Sequence, residues 1–195
     1  MDTVRLFIAI ALPERLLEQL ALVQRQLERQ MPAGSVRWVR PEATHLTLKF
    51  LGETSAQRLP QIEQALAQVS RHAHACEIEA GGLGCFPNPR RPRVVWIGLT
   101  EPTGRLVALQ QSVEEALDVL GYPAEGRAFT AHLTLGRVQE RAASGDVRRI
   151  GEVVSGAEVG VLGQFRADDI HLIRSVLKPS GAEYTILKTF PLQRP

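Results

Sequence analysis

His45-Leu46-Thr47-Leu48-Lys49-Phe50-Leu51 reads as a β-strand, and its first four residues recur as His132-Leu133-Thr134-Leu135, 87 positions further along the chain. Side chains alternate across a strand, so each tetrapeptide puts its two leucines on one face and its histidine and threonine on the other. The leucines explain how such a strand attaches to an apolar layer. They leave unexplained why an imidazole and a hydroxyl share the opposite face twice. A lone strand histidine is usually structural, but two copies in two apolar runs point to a site built from two similar parts.

The flanking sequence predicts the layers around these strands. Residues 4–12 are strand-like and end at Pro13-Glu14, where proline suits the first turn of a helix; Leu16, Leu17, Leu20, Val23 and Leu27 carry that helix to about Gln30. After the first tetrapeptide, Gly52-Glu53-Thr54-Ser55 predicts a turn and a helix cap, followed by a helix marked by Leu59, Ile62, Leu66 and Val69. Strand-like residues 76–79, the glycines of 81–84, a loop at 87–92 and a strand at 94–97 come next. The second half repeats the order loosely: a helix from Leu106 to Leu120 closed by Gly121, a strand over residues 130–138, a short helix over 147–154, and strands over 170–177 and 184–190 joined by a Pro179-Ser180-Gly181 turn. Short connections favour antiparallel pairing. The expectation is an α+β fold with two pseudo-symmetric, mainly antiparallel sheets, helices outside and a central cleft, in one domain of residues 1–195 made of two pseudo-repeat lobes.

Composition narrows the function classes. With 195 residues, 44% apolar and 23% charged, the chain has the make-up of an ordinary globular protein. The apolar run of residues 6–12 is too short to span a bilayer, and no signal-peptide cleavage pattern follows it. Cys76 and Cys85 stand outside any cysteine framework and are expected as free thiols in a reducing cytoplasm. A net charge of +2 argues against a protein that coats nucleic acid, yet fits a small or end-bound phosphate ligand. Of the 23 basic residues all but Lys49, Lys178 and Lys188 are arginine, a bias that reflects codon composition better than chemistry. A cytoplasmic monomer with no membrane contact and no cofactor is expected.

Histidine accepts and donates protons near neutral pH, its unperturbed pKa being about 6.5. Two of them on opposite sides of a phosphorus can serve an in-line displacement without a metal, one activating water and the other protonating the departing oxygen. The threonine two positions on sets a hydroxyl about 6–7 Å further along the same face, where it can hold a non-bridging phosphate oxygen.

The same residues carry a resemblance. Arg5-Leu6-Phe7-Ile8-Ala9-Ile10, the run from His45 to Gly52, Gly82-Leu83-Gly84-Cys85-Phe86-Pro87, Val95-Trp96-Ile97-Gly98-Leu99, His132-Leu133-Thr134-Leu135-Gly136-Arg137 and the stretch from Tyr184 to Leu192 are together similar to the 2H phosphoesterase superfamily, and within it to the bacterial RNA 2′,3′-cyclic phosphodiesterases, also called 2′-5′ RNA ligases. The resemblance implies a bilobal fold around a cleft and hydrolysis of an RNA 2′,3′-cyclic phosphate to a 2′-phosphomonoester, with reversible 2′-5′ joining of RNA ends as a side activity. By motif position it implies His45 as proton donor, His132 as proton acceptor, and Thr47 and Thr134 as phosphate-holding hydroxyls. Arg137 matches an arginine near the family's site, although strict alternation would turn it away from His132 unless a bulge or strand end redirects it.

Other features read more plainly. His72 and His74 lack further ligands for a metal and suit a solvated helix end. His171 is expected to be structural or supporting, Asp168-Asp169 a turn, and the glycines of 81–84 a bend in a sheet. Among the aromatic residues, Phe50 and Trp38 flank the first motif and are the candidates to stack on a terminal base, with Trp96 behind them. Arg37, Arg40 and the cluster Arg90, Arg91 and Arg93 could steer RNA. Two rival functions remain at this point: a cyclic phosphodiesterase for another small nucleotide, such as ADP-ribose 1″,2″-cyclic phosphate or a 2′-5′ oligoadenylate, and a non-catalytic RNA-binding module.

Overall fold

A computed structural model describes residues 2–178 and 181–194. The first sheet has the order β3-β1-β8-β9, formed by β1 (Thr3–Ile10), β3 (Leu46–Ser55), β8 (Asp169–Lys178) and β9 (Gly181–Pro191). The second has the order β2-β6-β5-β4-β7, from β2 (Val36–Trp38), β4 (Cys76–Phe86), β5 (Val94–Thr100), β6 (His132–Val138) and β7 (Val161–Ala167). All strand pairs within the two sheets are antiparallel. Four helices complete the α+β architecture among the described residues: α1 (Glu14–Glu28), α2 (Leu59–His72), α3 (Arg105–Asp118) and α4 (Ser144–Gly156).

Each lobe draws on both halves of the sequence. The first sheet takes both chain ends and is backed by α2 and α3, while the second takes the middle of the chain and is backed by α1 and α4. The helix that follows β1 thus crosses to the other lobe, and so does the helix that follows β5. The covered faces of both sheets join in one apolar cluster that includes Leu6, Ile8, Ile10, Leu46, Val95, Ile97, Leu133, Leu20, Leu66 and Val113. Burying each such side chain contributes about 1.5–3 kcal/mol. β1 is apolar on both faces because Phe7 and Ala9 meet Ile173 in a small second cluster on the opposite side of the first sheet.

The turn and helix cap expected over residues 52–55 do not form, and one strand goes unread. Gly52-Glu53-Thr54-Ser55 is not a turn: β3 runs on to Ser55, paired with β1 from Leu6 back to Thr3, and Gly52 takes a positive φ of 67° beside a register shift. The helix begins at Leu59, where its apolar spacing places it, but after a short 3-10 turn over Ala56–Arg58, so no residue of 52–55 caps it. β7 goes unforeseen in the sequence because it buries just Phe165 and Ala167 and is interrupted by Gly163. The glycines of 81–84 do mark a bend, inside a continuous β4 that shifts register at Gly82 (φ 70°). Of the expected Pro179-Ser180-Gly181 turn, Pro179 and Ser180 lie outside the described residues. No helix among the described residues is long and apolar enough to cross a membrane.

Candidate active site

The two tetrapeptides end in the same irregularity. In the β1–β3 ladder Ala9 faces Thr47 and Ile8 faces Lys49, so Leu48 is skipped; in the β5–β6 ladder Trp96 faces Thr134 and Val95 faces Gly136, so Leu135 is skipped. Each skipped leucine is an extra residue in its strand, and it resets the alternation beyond it. Arg137 therefore stands opposite Val94 on the face of Trp96, Thr134 and His132, and Phe50 stands opposite Phe7 on the face of Ala9 and Thr47. Leu48 and Leu135 point into the core. Their carbonyl oxygens are held by buried glutamines: Gln110 Nε2 of α3 donates to Leu48 O at 3.4 Å, and Gln24 Nε2 of α1 donates to Leu135 O at 2.9 Å and to Val39 O at 2.8 Å.

The residue after each bulge faces the core and is solved differently in the two lobes. Lys49 is buried and its ammonium donates to Glu114 of α3 and to Pro123 O at 2.9 Å; Gln110 Nε2 in turn donates to the other oxygen of Glu114 at 3.0 Å. The equivalent Gly136 leaves room for β2, since a Cβ there would lie 2.6 Å from Val36 Cγ1 and 3.0 Å from the Trp38 ring. Trp38 shares this inward side with Val36 and packs against the core. Its expected role as a stacking platform is accordingly corrected to a packing role, because the strand places it on the face opposite His132.

The two imidazoles are held alike and surrounded differently. His45 Nδ1–H donates to Ala43 O at 2.9 Å and His132 Nδ1–H to Thr130 O at 2.7 Å, each reaching back two residues. That tautomer leaves Nε2 as the free nitrogen in both. The His45 ring stacks on Phe7 at 4.5 Å between centroids and meets the edge-on ring of Tyr184 at 5.2 Å. This burial pushes the His45 pKa down to about 4, against a smaller upward pull from the hydrogen bond to Ala43. His132 is flanked edge-on by Phe86 at 4.9 Å, with Trp96 beyond at 6.3 Å.

Around these rings the two sheets offer different surfaces. Phe50, 53% exposed, Tyr184 and Ile186 present bare apolar area on the open face of the first sheet. On the second sheet Arg137 and, across from it, Arg37 are exposed on the face of His132. β3 and β6, which carry the tetrapeptides, come into contact where the sheets meet. Phe7, Tyr184, Phe86 and the two glutamines had no sequence signal of their own, apart from the quoted runs that contain the aromatic three.

The remaining sequence candidates fall elsewhere. His72 Nδ1–H donates to Gln68 O at 2.9 Å within α2, His74 sits in a backbone bridge with Gln193, and no cluster suited to a metal occurs among the described residues. His171 lies on the open face of the first sheet opposite Ala9, 3.0 Å from Thr189 Oγ1, and burial lowers its pKa. Asp168 pairs with Arg166 at 3.0 Å. Cys76 and Cys85 are free and buried. A groove of about 1100 Å³ between α2 and α3 is lined by none of the tetrapeptide residues.

Comparisons with known proteins agree with this architecture. The model of the LigT-like phosphoesterase family matches the chain twice, over residues 10–96 and 97–184. An RNA 2′,3′-cyclic phosphodiesterase of Archaeoglobus fulgidus is 35% identical over 186 residues, covering 95% of this chain and 99% of the relative. One of Methanothermobacter thermautotrophicus is 33% identical over 189 residues, covering 97% and 99%. Among solved structures, TT0787 of Thermus thermophilus superposes with a TM-score of 0.79 at 27% identity, over 96% of this chain and 97% of that one.

Proposed function

The chain belongs to the LigT-like phosphoesterase family, and on that premise we propose that it is a cyclic phosphodiesterase that opens the 2′,3′-cyclic phosphate at an RNA end to a 2′-phosphomonoester. The observation that carries the reading is the duplicated geometry: each lobe presents, on an open sheet face, one imidazole with a free Nε2 and one hydroxyl two residues on. Paired acid and base chemistry at a phosphorus calls for that set, and mere binding does not call for two groups that titrate.

In this mechanism His132 Nε2 takes a proton from water as the water attacks the cyclic phosphorus. Thr47 and Thr134 hold the non-bridging oxygens, and Arg137 offsets their charge as it grows in the transition state. The P–O3′ bond breaks and His45 Nε2 gives its proton to the departing 3′ oxygen. Burial keeps His45 neutral in the empty site at pH 7. The phosphate anion raises its proton affinity on binding, as an opposite charge does at close range, so substrate loads the donor. Phe50 supplies an apolar face for the terminal base. With a 5′-hydroxyl in place of water as the nucleophile, the same forward steps open the cyclic phosphate into a 2′-5′ phosphodiester with a free 3′-hydroxyl, and run backwards they cleave that linkage to the cyclic phosphate and the 5′-hydroxyl.

A short RNA ending in a 2′,3′-cyclic phosphate tests the reading. The expected product is the 2′-phosphomonoester, formed equally well in the presence of a chelator. A 3′-phosphate product, or no product, would overturn it, and turnover restricted to ADP-ribose 1″,2″-cyclic phosphate or a 2′-5′ oligoadenylate would move the substrate to another nucleotide.

A further inference from the structure

Arg37 and Arg137 are direct partners in the β2–β6 register, both exposed and both on the face of His132. Like charges set opposite one another on antiparallel strands destabilise the pair, and among the described residues neither guanidinium has a carboxylate within salt-bridge reach. β2 has three residues, of which Val36 and Trp38 turn inward, so the strand places a single side chain on the open face, and that side chain is Arg37. The polar groups of this wall thus run His132, Thr134, Arg137 and then, one strand further out, Arg37. The opposite wall has its exposed apolar area at Phe50, Tyr184 and Ile186, beside His45 and Thr47.

We propose that Arg37 binds the internal phosphodiester on the 5′ side of the terminal nucleotide, and so selects an RNA oligonucleotide over a mononucleotide. The inference rests on the proposed function and extends it by one phosphate. Arg137 serves the reacting phosphate, and the anion held beside it by Arg37 relieves the repulsion between the two guanidinia. A guanidinium grips a phosphate with two parallel N–H···O bonds, which a lysine at the same place does not reproduce. The base is left to the apolar wall.

Initial rates on cytidine 2′,3′-cyclic phosphate and on a trinucleotide ending in the same group, for wild type, Arg37→Gln and Arg37→Lys, decide the matter. Losing one charged phosphate contact should raise KM for the trinucleotide about tenfold in Arg37→Gln, with kcat kept. KM for the mononucleotide should stay within about twofold and Arg37→Lys should fall between, because it keeps the charge but not the fork. The dependence of log(kcat/KM) for the trinucleotide on log salt should flatten by about 0.7. Equal effects on both substrates, or none on the trinucleotide, overturn the assignment. Anisotropy with a labelled trinucleotide bearing a 3′-phosphate reads Arg37 without turnover: weaker binding by Arg37→Gln supports the subsite even if wild type hydrolyses neither substrate, a result that would instead sink the proposed function.

Discussion

Phe50 and Arg137 occupy equivalent positions in the two lobes: each is the second residue after a tetrapeptide bulge, and each is returned by that bulge to its histidine's face. The shared backbone device supplies an aromatic ring on one wall and a guanidinium on the other. The two walls are therefore symmetric in their imidazoles and hydroxyls and asymmetric in what surrounds them, which suits the proposed RNA end, with a base on one side and a phosphate chain on the other.

Phe50→Ala removes the exposed ring without opening the core. Stacking on an aromatic contributes about 1–3 kcal/mol per base, so KM for a nucleotide substrate should rise roughly five- to a hundredfold while kcat changes little. Steady-state kinetics checks this; an unchanged KM would remove Phe50 from the binding surface.

Lys49 and Glu114 form a buried pair directly behind the first motif. Lys49→Met leaves a buried carboxylate with Gln110 as its one side-chain partner among the described residues and should cost about 3–5 kcal/mol in chemical denaturation. Combining it with Glu114→Leu should recover most of that loss, since two apolar groups of similar volume replace the pair. A double variant no more stable than Lys49→Met would contradict the account.

His45 is neutral at pH 7 in the free protein because Phe7 and Tyr184 shield it. Burial penalises the charged imidazolium, so re-exposing the ring must raise its pKa. In NMR titrations the His45 ring should titrate near pH 4 in wild type, matching its lowered value of about 4, and should move up toward the ordinary histidine value of about 6.5 in Tyr184→Ala. A downward move, or none, would show that burial is not the cause.

The tetrapeptides were legible because period-two alternation is a property of a single strand. The bulges were not, because a bulge is a property of register between two strands; the sequence could say only that Arg137 needed one. Lys49 looks like a surface residue until Glu114 and Pro123, far along the chain, close over it. Tyr184 reaches His45 from β9, which joins the first sheet from the other end of the chain. Gly52 misled as a turn signal because its positive φ serves a kink within β3. Trp38 misled because nearness in sequence to His45 says nothing about the sheet it enters: β2 pairs with β6, in the other lobe.

The central claim is that one imidazole from each lobe serves the same phosphorus. The direct measurement is kcat/KM on an RNA 2′,3′-cyclic phosphate for His45→Ala, His132→Ala and the double variant, with folding verified by circular dichroism. Each single change should cost about 10²–10⁴-fold, and the double variant should lose far less than the product of the two, as groups acting in one step do. A folded His45→Ala or His132→Ala protein with near wild-type turnover, or losses that simply multiply, would contradict the account.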